Sequence, residues 1–530
     1  MRTLLINPYY PMSEGPSPPL GLAFLAAVLE RAGVEVKVLD LVVFPYSKKL
    51  LQSVLDDFQP QMVGSTAVTM SFHDAIHVIE DVKEINPNII TVMGGPHVTF
   101  CAEDTLNQFP GLDAVVMGEG EDTIVELTGA IQAGTGWDTI RGLVYRNGDG
   151  LQRTEERKPC IDVDSLPSPA RHLLPLGRYR ALNMAISMTT SRGCPFKCIF
   201  CVGRKMVGAK VRYRNPNAVV DELEQLSKLG FIQINIADDL FTANKDHCNQ
   251  ICDEIIRRNL KIKWSSFARV DTVSLDVLKK MKQAGCTAVS FGIETGNAEI
   301  LKTIRKGITL SQVKEAVEMC NEAGIEPCGS FILGLPGETP ETLKETIAFG
   351  KELKEINLAY GFHLLAPFPG TRVREEADSY GLKILTDDWS EYHANRAIVE
   401  TDTVDKEMLD TIARDWETDI EKWLGYIQEQ IESGKASEEE AYPLVNLERA
   451  MLVYTMMMED ILGKYGVWDQ ENAASVPMEE ALQKLVRRFP DFINQSKEKI
   501  SDTLRMQVEK GTLLFRNENQ KIEWSWLDYL

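Results

Sequence analysis

Short apolar runs, each followed by a stretch of helical period, recur from the start of this chain to about residue 365 and confine it to a parallel α/β architecture. Helices between strands cover both faces of the sheet, so the strands themselves read as apolar throughout. The first series predicts strands at Thr3–Ile6, Val34–Leu39, Met62–Thr66, Ile89–Met93 and Ala114–Met117. Helices fill the intervals near Leu20–Ala32, Lys48–Phe58, His73–Ile85, Glu103–Gln108 and Asp122–Gln132. This is a doubly wound, Rossmann-like domain over residues 1–140, and a ligand of such a sheet lies beyond the carboxyl ends of its strands.

A second series predicts strands at Ala185–Thr190, Ile232–Ala237, Lys263–Phe267, Ala288–Ile293, Cys328–Leu333 and Ala359–Leu365, with helices such as Ala218–Leu229 and Asp276–Ala284. Six units are fewer than the eight of a closed barrel, so residues 185–390 are expected to form a partial (βα)6 barrel of the TIM type. Residues 141–184 link the two. They hold a hairpin-like piece, Gly142 to Gly150, with an Asn147-Gly148 turn signal, and then a connector punctuated by Pro167, Pro169 and Pro175. Past residue 390 the period is helical at Glu407–Ser433, Glu438–Gly463 and Met478–Phe489, giving a mainly α-helical C-terminal domain over 391–530. Gly511–Asp528 alternates as a hairpin carrying Trp524 and Trp526. Met456-Met457-Met458 reads as core filling, or alternatively as a flexible wall of an apolar substrate pocket.

Just after the first strand of the second series stands Ser191-Arg192-Gly193-Cys194-Pro195-Phe196-Lys197-Cys198-Ile199-Phe200-Cys201. Three cysteines at this spacing can hold three irons of a 4Fe–4S cluster and leave the fourth iron open for chemistry. A structural zinc site would pair two C-x-x-C elements or add histidines, and neither occurs here. The other seven of the ten cysteines are scattered singly, unlike a disulfide framework, and Cys248 and Cys252 read as small buried apolar residues. A formal net charge of −21 argues against a nucleic-acid-binding surface, which needs basic patches. No apolar run reaches the ~20 residues of a membrane span. A cytoplasmic location is expected.

C-x-x-x-C-x-x-C ahead of alternating strands and helices resembles the radical S-adenosylmethionine superfamily. The resemblance implies that S-adenosylmethionine chelates the open iron and is cleaved to a 5′-deoxyadenosyl radical. Cys194, Cys198 and Cys201 would ligate the metal, with Phe200 against adenine. Polar residues at later strand ends complete the expected site. Asp238 and Asp239 would receive the amino group, although a carboxylate pair also suits acid–base work or a helix N-cap. Arg269 would pair with the methionine carboxylate, and Glu294 would contact the ribose.

The loops of the first domain resemble those of the cobalamin-binding domain that precedes one large class of this superfamily. Pro18-Pro19-Leu20-Gly21-Leu22, Gly94-Gly95-Pro96-His97 and Gly118-Glu119-Gly120-Glu121 carry the likeness. It implies cobalamin contacts from Tyr9, Thr66, Gly94, Gly95, His97, Gly118, Glu119 and Gly120. The D-x-H-x-x-G cobalt-ligating sequence is absent: the first strand-end loop reads Asn7-Pro8-Tyr9-Tyr10-Pro11. His73 and His77, spaced i, i+4, lack the Glu of a zinc-protease helix.

The class includes C-methyltransferases and the anaerobic magnesium-protoporphyrin monomethyl ester cyclase. The first expectation is therefore methyl transfer to an unactivated carbon of a small-molecule or peptide substrate, using cobalamin, S-adenosylmethionine and the cluster. An electron would come from a low-potential donor such as flavodoxin or ferredoxin. The alternatives are a radical oxidative cyclisation of a tetrapyrrole- or lipid-like substrate, and a cofactor-binding sensor.

Overall fold

The computed structural model describes residues 1–12, 15–148, 150–469, 476–490, 493, 495–518 and 520–530. Its first sheet has five parallel strands, in spatial order Glu35–Asp40, Arg2–Asn7, Met62–Thr66, Ile90–Gly94 and Ala114–Val116. The order reverses direction between the strands Arg2–Asn7 and Met62–Thr66, which opens a crevice at their carboxyl ends. Alternate residues of the first strand serve opposite faces. Leu5 packs beneath the helices Leu20–Arg31 and Glu121–Ala133, whereas Leu4 and Ile6 pack with Lys48–Phe58 and Phe72–Ile85. Both faces are thus covered, as the unbroken apolar strands require.

The hairpin expected in the linker belongs to this sheet. Leu143–Asn147 pairs antiparallel with Ala114–Val116, and Gly150–Arg153 pairs with it in turn, so the sheet continues past residue 140. Asp149 of its turn lies outside the described residues. The connector that follows is ordered, with a short helix at Leu176–Ala181 whose Tyr179 hydroxyl donates to Asp40 Oδ2 at 2.8 Å.

The second sheet contains six parallel strands in sequence order: Ile186–Met188, Ile234–Ile236, Trp264–Ala268, Cys286–Glu294, Glu326–Leu333 and Ala359–Leu364. Ile186, Ile234, Trp264, Val289, Phe291 and Phe331 face the surrounding helices and form one continuous core with the Leu20–Arg31 side of the first sheet. The alternating positions face an open lumen. Phe267, in mid-strand, is 54% exposed where a closed barrel would bury a packing layer.

The C-terminal region holds the helices Lys406–Glu432, Glu438–Met458, Ile461–Tyr465, Met478–Arg488 and Lys497–Glu509. The stretch expected as one helix to Gly463 breaks at Asp460, which takes a left-handed φ of 50°. A three-stranded sheet joins them, formed by Leu513–Glu518 and Lys521–Trp526 with Val467–Asp469 on its edge. Met456 and Met457 are buried with Trp524, Val42, Val43 and Tyr179, so these two methionines fill the core between this region and the first domain. Among the described residues no helix is long and apolar enough to cross a membrane.

Candidate active site

The cysteine loop begins at the carboxyl end of the strand Ile186–Met188. A two-residue ribbon, Ser191-Arg192 antiparallel to Arg212-Tyr213, leads into it. Gly193 follows at φ +117°, where a Cβ would stand 2.4 Å from the carbonyl oxygen of Lys210. Mid-loop, Ile199 donates to the Ile304 carbonyl and accepts from the Val373 N–H, so two later segments anchor it. Cys194, Cys198 and Cys201 carry free thiols and line one cavity of about 230 Å³. Among the described residues no three such donors converge closely enough for a single ion; the thiols surround a space instead. Burial holds all three thiols above their ordinary pKa, opposed at Cys198 by the charges of Lys306 and Arg269.

Two cations support the loop from the barrel. The Arg269 guanidinium carbon lies 3.6 Å from the centroid of the Phe196 ring, and Asp271 grips it with two bonds of 2.9 Å. Lys306 Nζ stands 5.9 Å from the Phe200 ring centroid and forms a buried ion pair with Glu294 Oε1 at 2.5 Å. Arg269 Nη2 also donates to the Lys306 carbonyl at 2.8 Å, joining the two cations. Arg269 is therefore engaged by Asp271 and the cysteine loop, and Glu294 by Lys306. Sequence reasoning missed Lys306 and Asp271. Arg305-Lys306-Gly307 reads as an ordinary polar turn, and only tertiary packing reveals a lysine that is 7% exposed.

The paired aspartates diverge. Asp238 accepts from the Thr190 N–H at 2.6 Å, the Thr190 hydroxyl at 2.5 Å and the Ser191 hydroxyl at 2.7 Å, which commits it to the base of the loop. Burial lifts its pKa, and these donors oppose the shift. Asp239 is the one that faces open space: it accepts from the Gly193 N–H and lines a second cavity.

That second cavity, of about 510 Å³, lies between the first sheet and the cysteine loop. Thr66, Gly94, Gly95, Gly118, Glu119 and Gly120 line it from the strand ends, with Leu5, Leu22, Val92 and Val116 beneath. Arg192, Met206, Val207 and Asp239 close it from the barrel side. Glu119 has a further part: its carboxylate takes two bonds from Arg212, at 2.8 and 2.7 Å, while Glu121 takes one of 2.7 Å from Arg192. These pairs clamp the glycine loop of the first domain onto the ribbon that leads into the cysteines.

Tyr9 and His97 do not line this cavity. Pro96 and His97 begin a short helix, so His97 points about 100° around the axis from its neighbour and away from the cavity. Its Nδ1 is 3.3 Å from Thr69 Oγ1, and its ring packs 4.2 Å from Phe72 and 4.9 Å from Trp389. Burial depresses its pKa to about 3, which keeps it neutral. Tyr9 lies against Tyr454 of the C-terminal region. His73 pairs with Asp388 at 3.3 Å and His77 with Asp81 at 3.8 Å.

The radical SAM superfamily description matches residues 188–350, and the B12 binding domain description matches residues 12–128. An uncharacterized methyltransferase of Pyrococcus horikoshii is 40% identical over 378 residues, 71% of this chain and 81% of the relative. The chain belongs to the cobalamin-binding branch of the radical S-adenosylmethionine superfamily. The anaerobic magnesium-protoporphyrin IX monomethyl ester cyclase of Rubrivivax gelatinosus is 31% identical to this radical SAM enzyme over 430 residues, 78% of this chain and 76% of the relative. The solved structure of the cobalamin-dependent S-adenosylmethionine radical enzyme OxsB shares its fold, with a TM-score of 0.68 and 18% identity, covering 98% of this chain and 82% of that one.

The enzyme's cofactors are accordingly a 4Fe–4S cluster, S-adenosylmethionine and cobalamin. Its residues fit them. Three free thiols line one cavity, and Phe267 of the barrel strand Trp264–Ala268 is left exposed rather than packed. At the other cavity Gly95 has φ 106° and ψ 173°, and a Cβ there would stand 2.6 Å from the Ala67 carbonyl oxygen. Such a backbone is open to glycine almost alone and lets a large ligand lie close against the strand ends.

Proposed function

We propose that this chain is a cobalamin-dependent radical S-adenosylmethionine methylase acting on an unactivated carbon of a small molecule or peptide. The observation that carries the reading is the shared wall: the cysteine loop, Asp239 and the helix Gly203–Val207 stand between the thiol cavity and the glycine-lined cavity. When bound, the cofactors supply one-electron cleavage of S-adenosylmethionine and a transferable methyl group. The chain's residues do the rest. Cys194, Cys198 and Cys201 would hold the cluster through their three thiols. Asp239, rather than the saturated Asp238, offers its carboxylate to the amino group of S-adenosylmethionine, and Glu294 is fixed by Lys306 for the ribose. Gly94, Gly95, Gly118 and Gly120 would admit the cobalamin, and Met206 and Val207 would exclude water from the cavity on the barrel side. A low-potential flavodoxin or ferredoxin supplies the electron, and an oxygen-sensitive cluster suits a cytoplasmic setting.

A second reading, radical oxidative cyclisation, draws on the 31% identity to the Rubrivivax gelatinosus cyclase. The methyltransferase relative is the more similar of the two at 40%, which favours methylation. Omitting cobalamin separates them. Protein reconstituted anaerobically with iron, sulfide and cobalamin, then given S-adenosylmethionine and a strong reductant, is expected to release 5′-deoxyadenosine and S-adenosylhomocysteine. The same protein without cobalamin is expected to lose the S-adenosylhomocysteine alone. S-adenosylhomocysteine formed equally in both preparations would refute methyl transfer by way of cobalt.

A further inference from the structure

We propose that Lys306 is a positioning residue that fixes both the local charge and the geometry of the cysteine loop around Cys198, and so raises the reduction potential of the cluster held there. The proposal rests on the assignment of Cys194, Cys198 and Cys201 as cluster ligands, and it concerns a residue to which neither the motif nor the comparisons give a part.

Four features converge on Lys306. Its ammonium is buried, with a side chain 8% exposed, and is paired at 2.5 Å with Glu294, itself 7% exposed. A charge so far from water acts on its neighbours with little screening. Space for the pair exists because residue 292 is glycine: a Cβ there would stand 2.4 Å from Glu294 Oε1 and 2.8 Å from Lys306 Nζ. Glu294 adopts a left-handed φ of 71°, uncommon for a residue with a side chain, at the point where the strand turns its carboxylate inward. Finally, the backbone carbonyl of Lys306 receives the Arg269 Nη2 at 2.8 Å, and Arg269 stacks on Phe196.

Phe196 and Phe200 flank Cys198 two residues to either side. One ring rests on Arg269 and the other lies near the Lys306 ammonium, so the segment carrying Cys198 is held from both ends through a single lysine. Arg269 is balanced by its own fork to Asp271, whereas among the described residues the carboxylate that pairs with Lys306 is that of Glu294. A positive charge beside an iron–sulfur cluster favours the form with one more electron, because charge, hydrogen bonding and burial set the potential. Glu294 opposes that effect, so the two charges should move the potential in opposite directions.

The test is a charge cycle read by potentiometric titration of the reconstituted cluster, with titanium(III) citrate as the one-electron donor and the reduced signal followed by electron paramagnetic resonance. At a fixed poise, Lys306→Met is expected to lower the ratio of reduced to oxidised cluster about tenfold, equivalent to a midpoint about 59 mV lower for one electron. Glu294→Gln is expected to raise it, and the double variant Lys306→Met/Glu294→Gln to return close to wild type. Lys306→Arg keeps the charge and should keep the midpoint. If Lys306→Met takes up no iron, Glu294→Gln, expected to raise the midpoint, and Lys306→Arg, expected to keep it, carry the test. Equal midpoints in all variants, or a double variant shifted as far as Lys306→Met, would overturn the proposal. Wild-type protein that forms no cluster at all would overturn the ligand assignment beneath it, an outcome distinct from a cluster whose potential ignores Lys306.

Discussion

Cys198→Ala protein is expected to fold, to bind less iron, and to release no 5′-deoxyadenosine above background. The loop owes its shape to Gly193, to the Ile199 bonds with Ile304 and Val373, and to Asp238 beneath Thr190 and Ser191, none of which involves the thiol. Removing the sulfur therefore takes away a ligand without removing the scaffold. Loss of an outer partner of a metal site costs about 10–100-fold in affinity or activity, and loss of a direct ligand should exceed that range. Circular dichroism should match wild type, while iron content and deoxyadenosine yield fall together. Wild-type deoxyadenosine production by Cys198→Ala would remove the loop from the chemistry.

Gly95→Val is expected to weaken cobalamin binding about a hundredfold while leaving the cluster in place. The new Cβ would meet the Ala67 carbonyl oxygen at 2.6 Å, the Ala67 nitrogen at 2.9 Å and Thr66 Oγ1 at 2.9 Å, mostly rigid backbone. The backbone geometry of Gly95 adds roughly 1–3 kcal/mol of strain for any residue with a side chain. Displacing this turn by the distance the contacts demand moves the strand ends that line the cavity. A shift of about 2.7 kcal/mol corresponds to a hundredfold change in Kd. The measurement is cobalamin retained per chain after gel filtration, alongside the iron content. Equal loss of both cofactors would indicate general unfolding, and unchanged cobalamin would place the ligand elsewhere.

Much of this architecture is legible in the sequence because periodicity reports burial. The strands Met62–Thr66 and Ala359–Leu364 lie where short runs between turn signals put them, and the helix Lys48–Phe58 where a helical period does. The hairpin Leu143–Arg153 was legible as a hairpin but not as part of the first sheet, since pairing with Ala114–Val116 is a long-range choice the turn does not encode. The three cysteines announce themselves by spacing. Their surroundings do not: Lys306, Asp271, Arg192 and Arg212 are ordinary charges in the sequence, and their parts arise only when distant segments meet. Neighbours in sequence also diverge in space. Asp238 turns inward to Thr190 while Asp239 faces the cavity, and His97 leaves the glycine turn around a helix that carries it beneath Trp389.

The central claim is that one chain couples the cluster to cobalamin for methylation, and the fate of the methyl group tests it most directly. Anaerobically reconstituted protein given S-adenosylmethionine labelled in its methyl group, with reductant, should accumulate labelled methylcobalamin bound to the chain, and S-adenosylhomocysteine beside it. A chain that holds the cluster and makes 5′-deoxyadenosine, yet leaves cobalamin unlabelled, would contradict the account and favour the cyclase reading.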